Sequence, residues 1–147
     1  MLAFVNREYI HRQLQMTDSI FSKITNSELI PYWRAPFGEY NRQILNWAAE
    51  LGYRHIRWSP TFDTFDWVTD QSSKLFRTPD DIYRHFLETE QKKEALNGVI
   101  VLMHLGSTRE NGHVYEALTR LIPELKRRNY KLLKISQMLE NKKLALK

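Results

Sequence analysis

The spacing of apolar and polar residues divides the chain into alternating helices and strands. Apolar residues at helical spacing predict helices over 7–25, 41–51, 78–96 and 113–128, and Ser136 is expected to cap a short terminal helix. Short apolar runs predict strands at 30–34, 53–59, 98–103 and 131–135. Such regular alternation is typical of parallel strands with helices outside them. We therefore expect an α/β fold with its chemistry at the carboxyl ends of the strands.

Local signals mark several of these boundaries. Thr78 is followed by a proline and two aspartates, which are residue types that favour the first turn of a helix. Asn26 and Ser27 are expected to end the first helix, and Gly52 is a suitable stop for the second. Gly38 permits the backbone angle that a tight turn after the first strand requires.

Polar residues follow three of the predicted strands. Arg34 ends the first strand, Asp63 and Asp66 lie in the loop after the second, and His104 follows the third. That loop, 60–78, is rich in threonine, aspartate and serine, and a loop of this length is usually functional. Because the carboxyl ends of parallel strands share one edge of a sheet, we expect these side chains to form one site.

Each of these side chains has a catalytic and a structural interpretation. His104 can exchange a proton near neutral pH, or it can be a core histidine bonded to backbone. A carboxylate at Asp66 would orient the imidazole and favour its charged form, whereas Asp63 equally suits a turn that binds its own backbone. Arg34 ends a strand that we expect to be buried, so its guanidinium needs an anion, and the two aspartates are the obvious partners.

Composition and charge narrow the function. The 147 residues are 42% hydrophobic, which supports one packed domain over 1–147. The absence of cysteine excludes disulfides, cysteine nucleophiles and thiolate metal sites. No apolar run approaches the ~20 residues of a membrane span, and the start of the chain is too short and too soon charged for a secretory signal, so the compartment stays open.

Nucleic-acid and metal partners are not indicated by any motif. The net charge of +5 comes mostly from the C-terminal end and suits a solvated helix face. The sequence contains no His-x-x-x-His, no Gly-rich phosphate loop and no Gly-x-Ser-x-Gly elbow. We therefore expect no nucleic-acid partner and no metal held by this chain alone.

Three short motifs resemble those of the polysaccharide deacetylase family, the NodB homology domain of carbohydrate esterase family four. Arg34-x-Pro36-Phe37-Gly38 resembles its third motif, Asp63-x-x-Asp66-Trp67 its fourth and Leu102-x-His104 its fifth. The resemblance implies a partial distorted (β/α) barrel of parallel strands with outer helices, without the N-terminal strands of the full domain. It also implies hydrolysis of N- or O-acetyl groups of polysaccharides such as chitin, peptidoglycan or xylan with a divalent metal, zinc or cobalt.

The resemblance further implies roles for individual residues. His104 would protonate the leaving nitrogen, Asp66 would tune His104, and Arg34 would steady the catalytic base. Four positions would bind the substrate: Phe37, Asp63, Trp67 and Leu102. Among these, the backbone amide of Phe37 would help to stabilise the oxyanion, while Trp67 and Leu102 would wall the acetyl pocket.

Two family motifs are missing. A Thr-Phe-Asp-Asp run would supply the base and one metal ligand, a His-Ser/Thr-x-x-His run would supply the other two ligands, and both would lie upstream of residue 1. We therefore expect the C-terminal portion of a deacetylase domain that is inactive alone. Its partner would be an acetylated polysaccharide or oligosaccharide, in the cell envelope or outside the cell if the family pattern holds.

Two other functions stay open. The chain could be a non-catalytic module that binds carbohydrate or assembles with another chain, or an unrelated hydrolase that uses His104 and Asp66 without a metal. A partial barrel also has two open sheet edges and a strand that loses cover on one side. We therefore expect either self-association through the open side or poor solubility.

Overall fold

The computed structural model describes residues 5–92, 96–104 and 106–145, with the last five of these as backbone only. The described helices are α1 (Arg7–Thr25), α2 (Arg42–Glu50), α3 (Pro79–Glu90), α4 (Val114–Arg127) and α5 (Ile135–Ala145). The described strands are β1 (Tyr32–Trp33) and β2 (Arg54–His55), and a 3-10 turn spans Pro36–Gly38. None of the helices described is both long and apolar enough to cross a membrane.

The chain divides into two compact units, Met1–Arg57 and Trp58–Lys147. In the first unit, α2 connects the parallel strands β1 and β2, and α1 packs against α2. His11 of α1 bonds to the carbonyl of Trp47 in α2 at 2.9 Å. Asn41 caps the start of α2. Gly52 follows the end of α2 at a φ of 79°, as the sequence predicts. The single domain predicted over 1–147 stays a prediction.

The second unit is built on α3 and α4, which pack against each other. The buried side chains of its core are Phe62, Ile82, Phe86, Leu96, Val114, Ala117, Leu121 and Leu125. Thr78 caps α3, because its hydroxyl accepts the amide of Asp81 while the Asp81 carboxylate accepts the amide of Thr78. The predicted start of this helix is therefore confirmed. The helix ends at Glu90, before the predicted end near Leu96, and residues 93–95 lie outside the described part.

The strand predicted at 98–103 is wrong. The described residues of this segment form one isolated parallel bridge, between Asp63 and Leu102. The Leu102 amide donates to the Phe62 carbonyl at 2.9 Å, and the Thr64 amide donates to the Leu102 carbonyl at 3.1 Å. The side chains of 99–103 are half-buried, and the hydrogen bonds of the described backbone join this segment to a neighbour on one side only. A central parallel strand needs neighbours on both sides.

The strand predicted at 131–135 is also wrong. Residues 131–134 are exposed, and α5 already begins at Ile135. Ser136 therefore lies inside α5 and does not cap it. The two strands that do form, β1 and β2, are shorter than their predicted ranges. An apolar run forms a strand only where a neighbouring backbone segment supplies hydrogen bonds along its length. Within the described part of the chain, these segments lack such a neighbour over part or all of their predicted ranges.

Candidate active site

A carboxylate and an imidazole meet in the second unit. Asp66 Oδ1 lies 2.9 Å from Nδ1 of His104, and Asp66 Oδ2 accepts the backbone amide of His104 at 2.8 Å. The Thr64 hydroxyl lies 2.8 Å from Asp66 Oδ1 and 3.0 Å from the carbonyl oxygen of Leu102. Asp66 is 1% exposed, whereas the His104 side chain is 41% exposed. The carboxylate is therefore fixed inside the protein, while the imidazole reaches solvent.

Burial and hydrogen bonding have opposite effects on the Asp66 carboxyl. Burial raises its pKa, but the hydrogen bonds from the ring and amide of His104 and from Thr64 outweigh burial and hold the pKa below its usual value. Asp66 is therefore ionised at neutral pH and can only accept hydrogen bonds. Nδ1 of His104 must then carry a proton, so Nε2 is the nitrogen through which the imidazole can exchange a proton with a substrate.

A tight turn presents Asp66. The Val68 amide donates to the Phe65 carbonyl at 3.0 Å, so Asp66 and Trp67 are the two central residues of the turn. Phe65 enters the turn at a φ of 51°, in the left-handed region that few residues with a side chain adopt. Asp63 Oδ1 accepts the Phe65 amide at 2.9 Å. Asp63 thus binds its own loop, as the structural interpretation of this residue predicts.

Trp67 and Leu102, which the sequence also proposes for substrate binding, are both connected to this loop. Trp67 follows Asp66 directly and is 49% exposed. Leu102 is half-buried and is joined to Asp63 by the parallel bridge. The indole of Trp67 is thus available to a ligand, while binding of substrate by Trp67, Leu102 or Asp63 stays a prediction.

Arg34 belongs to the first unit. The prediction that its guanidinium is buried is wrong, because Arg34 is exposed and its Nε lies 3.3 Å from the carbonyl oxygen of Ile56. β1 is only two residues long and half-buried, so it does not enclose the side chain that follows it. The predicted aspartate partners, Asp63 and Asp66, belong to the second unit. A common site for Arg34, Asp66 and His104 stays a prediction.

Phe37 lies in the 3-10 turn after β1. The turn is closed by the Gly38 amide, which donates to the carbonyl of Ala35 at 3.0 Å, and by the Glu39 amide, which donates to that of Pro36 at 3.1 Å. Phe37 has a φ of 57° and is 84% exposed, and Gly38 has a φ of 70°, in the region that its sequence position predicts. The use of the Phe37 amide for an oxyanion stays a prediction.

The described side chains do not fit a metal ion. Within the described ranges, no three His, Cys, Asp or Glu side chains lie close enough together to hold one. His104 and Asp66 are a pair, and catalytic zinc sites usually have three protein ligands. The divalent metal of deacetylases therefore has no suitable ligand set among these residues.

Sequence reasoning missed two residues that support Asp66. The Thr64 hydroxyl forms a hydrogen bond with the Asp66 carboxylate. The sequence feature that could have identified Thr64 is its position between Asp63 and Trp67 in the motif. Arg109 is buried and donates hydrogen bonds to the carbonyls on both sides of the Asp66 turn. In the sequence, Arg109 is only an arginine in a predicted loop, and nothing there distinguishes it from an arginine exposed to solvent.

Comparison with known proteins shows which class this chain is similar to. A sequence model described as polysaccharide deacetylase matches residues 1–56. A peptidoglycan-N-acetylglucosamine deacetylase of Bacillus cereus is 30% identical over 110 residues, which are 75% of this chain and 46% of that protein. The chain spans about half the length of the curated relatives it matches.

Solved structures give the same class. The crystal structure of Bc1960, a peptidoglycan N-acetylglucosamine deacetylase, matches with a TM-score of 0.73 and 25% identity over 93% of this chain and 57% of that one. A wild-type CE4 family pseudoenzyme from Bacillus anthracis matches with a TM-score of 0.68 and 27% identity over 92% of this chain and 41% of that one. The predicted α/β fold class is therefore confirmed, and the short parallel sheet with its helices is consistent with part of a barrel. The chain is therefore similar, in sequence and in fold, to the polysaccharide deacetylase family, carbohydrate esterase family four.

Proposed function

We propose that this chain carries the acid side of a polysaccharide deacetylase active site. The observation that supports the proposal is the 2.9 Å contact between His104 Nδ1 and Asp66 Oδ1. Asp66 orients the ring and stabilises its charged form, so Nε2 can donate a proton to the departing amine. As the carbon–nitrogen bond of the acetamide breaks, the nitrogen keeps the bonding electron pair and takes the proton from Nε2. Asp66 stays ionised throughout.

The proposed substrate is an acetylated cell-wall polysaccharide. The Bacillus cereus relative and Bc1960 are both named as peptidoglycan N-acetylglucosamine deacetylases. Two exposed aromatic side chains, Phe37 and Trp67, are of the kind that packs against the apolar faces of sugars. We place both in substrate binding, together with Leu102 and Asp63.

The catalytic base and the metal ligands of such a site would come from polypeptide outside this chain. The described residues hold no set of three metal ligands, so we propose that the chain alone does not hydrolyse acetamides. Acetate release from N-acetylated chitooligosaccharides, measured with added zinc or cobalt, is expected to equal the buffer rate. Turnover by the purified chain that His104→Ala leaves unchanged would contradict both the inactivity and the acid role.

The acid role itself is tested in a protein that has the remaining parts of the site. A chimera places this chain in the aligned region of the Bacillus cereus deacetylase. If the chimera releases acetate, His104→Ala is expected to lower kcat by about 10²–10⁴-fold, the usual contribution of a general acid. The matched control is His113→Ala, which removes a histidine of the same unit that stacks on Tyr115 and lies outside the pair with Asp66. Equal kcat in the two variants would overturn the proposal.

A second candidate function is a non-catalytic carbohydrate-binding or assembly module. It is favoured by the similarity to a CE4 family pseudoenzyme and by the exposed ring of Trp67. Titration with chitooligosaccharides is then expected to change the tryptophan emission of the wild-type chain and of Trp47→Phe, but not that of Trp67→Phe. No change in the wild-type emission and no binding heat would contradict this function.

A further inference from the structure

Arg109 is a buried cation in a loop, with 7% of its surface exposed. Its guanidinium donates hydrogen bonds to carbonyl oxygens of four other residues. Nε donates to Val68 at 2.8 Å and Nη2 to Phe65 at 2.9 Å, while Nη1 donates to Arg77 at 2.8 Å and to Gly112 at 2.9 Å. Four of the five N–H groups of the side chain are therefore bound to backbone at fixed angles.

The described contacts of Arg109 are all with neutral groups, so they do not explain why a charged side chain occupies this buried position. None of the ion pairs among the described residues includes Arg109. The ring of Phe76 lies 4.4 Å from the guanidinium carbon, which adds a cation–π contact. Burial of a cation among neutral groups is costly, so a neutral donor would serve a simple loop contact better. What a neutral side chain cannot supply is a rigid, planar set of five donors.

Two of the four carbonyls define the turn that presents Asp66. Phe65 and Val68 are the first and last residues of that turn, whose own hydrogen bond joins the Val68 amide to the Phe65 carbonyl at 3.0 Å. Nη2 and Nε of Arg109 bind the carbonyls of the same two residues. The spacing between the ends of the turn is therefore set by one rigid group, and Phe65 is held at a φ of 51° that its side chain disfavours.

The other two carbonyls connect the turn to the helices of the core. Arg77 precedes Thr78, the cap of α3, and Gly112 precedes His113, the residue before α4. Arg109 thus ties the Asp66 turn to the starts of both core helices. These helix starts belong to the core of the second unit, because α3 and α4 carry six of the eight buried residues in its hydrophobic cluster.

We infer that Arg109 is a positioning residue, which fixes the turn carrying Asp66 and through it the orientation of the His104 imidazole. This inference rests on the proposed function of the His104–Asp66 pair. Arg109 does not touch the imidazole, so its effect passes through the turn. A purely structural role predicts that loss of Arg109 lowers stability alone, whereas a positioning role predicts a change at His104 that lower stability does not cause.

The test is the NMR signal of the Nδ1 proton of His104 in the whole chain, at neutral pH and low temperature. Hydrogen bonding to the Asp66 carboxylate shifts this proton strongly downfield, and Asp66→Asn assigns it. The variant Arg109→Met removes all the donors, and Arg109→Lys keeps the charge but not the planar set. Both are expected to lose or broaden the signal. They are also expected to speed hydrogen exchange of the His104 amide by roughly tenfold or more, the scale of one hydrogen bond to a charged group.

Two control variants distinguish a change in the orientation of His104 from a general loss of folding stability. Arg120→Met removes an arginine of the same unit that pairs with Asp80 on the surface, and it should leave the signal unchanged. Leu121→Ala opens a cavity in the core and lowers the melting temperature without touching the turn. It should also leave the signal unchanged at temperatures where the chain is folded.

The outcomes separate this inference from the proposed function. If the wild-type chain lacks the signal, or Asp66→Asn keeps it, the pair itself is absent and the proposed function fails with the inference. If the pair is present and Arg109→Met or Arg109→Lys leaves it unchanged, only the inference is overturned. If neither variant folds, hydrogen exchange of the wild-type chain decides. The Arg109 Nε–H and the His104 amide should then exchange at similar rates. Fast exchange of the Arg109 Nε–H while the His104 amide stays protected would contradict the inference.

Discussion

At the scale of single residues, burial acts in the same direction on two ionisable groups, but their net pKa shifts are opposite. Burial raises the pKa of Tyr53, and the hydrogen bond that its hydroxyl donates to Asp18 raises it further, so both effects keep the phenol neutral. Burial also raises the pKa of Asp66, but the donors of His104 and Thr64 outweigh it. Asp66 therefore keeps its charge inside the protein, which is what a partner of an imidazolium requires.

The charge of Asp66 makes stability depend on pH. Because its pKa is lower in the folded than in the unfolded chain, the unfolded chain binds more protons between the two values, and stability rises with pH across that window. The contribution of Asp66 is complete above about pH 5 and is lost as the pH falls through the folded pKa. Asp66→Asn is expected to lower the free energy of unfolding at neutral pH by about 1–3 kcal/mol, because it leaves buried donors without an acceptor. Urea denaturation at several pH values measures this.

The control for this experiment is Asp63→Asn. It removes a carboxylate from the same loop but keeps the oxygen that accepts the Phe65 amide. Asp63→Asn should therefore stay close to wild type in stability at neutral pH, whereas the deficit of Asp66→Asn should shrink as the pH falls through the folded pKa of the wild-type Asp66 carboxylate. A deficit that stays constant from neutral to acid pH would show that the charge of Asp66 does not stabilise the fold.

The sequence allowed part of this site to be predicted. His104 and Asp66 were found because each follows a predicted strand, and that rule depends only on order along the chain, so it succeeded although 98–103 forms a single bridge in place of a strand. Arg109 was not found because its partners are carbonyls up to 44 residues away in sequence, and any residue type supplies a carbonyl. The burial of Arg34 was predicted wrongly because burial depends on neighbours that the apolar pattern does not specify.

At the scale of elements, helices were predictable and strands were not. The predicted starts of α1 to α4 lie within one residue of the observed ones, because caps and periodicity act within a few positions. Of the four predicted strands, 30–34 and 53–59 contain the two short strands of one parallel pair, while 98–103 and 131–135 are not strands. A strand needs hydrogen bonds to a backbone segment that is distant in sequence, so an apolar run alone does not determine whether a strand forms.

The capping box of α3 gives a test at this scale. Thr78→Ala removes the oxygen that accepts the Asp81 amide at 3.1 Å, and it should lower the free energy of unfolding by about 1 kcal/mol. Thr119→Ala, which replaces a threonine inside α4, is the matched control and should cost less, since alanine is the better helix former. Thermal denaturation of both variants measures the difference, and equal losses would contradict a specific role of the cap.

At the scale of the whole molecule, the chain corresponds to part of its relatives. The structural match covers 57% of the Bc1960 chain. The first unit carries an apolar groove of about 830 Å³ along α1 and the 29–39 segment. Tyr9, Trp33 and Phe37 are among the aromatic residues that line it. An open groove of this kind favours contact with another polypeptide.

We therefore predict that the chain self-associates through this groove. The net charge of +5 opposes contact between two copies, so light scattering should show a larger mass as salt screens that repulsion. Tyr9 lines the groove and is 43% exposed, so Tyr9→Glu should shift the species toward the monomer. Ile24 lies on the same helix, is 78% exposed and is not part of the groove, so Ile24→Glu should leave the mass unchanged. A wild-type chain that is strictly monomeric at all salt concentrations, or equal effects of the two variants, would contradict this prediction.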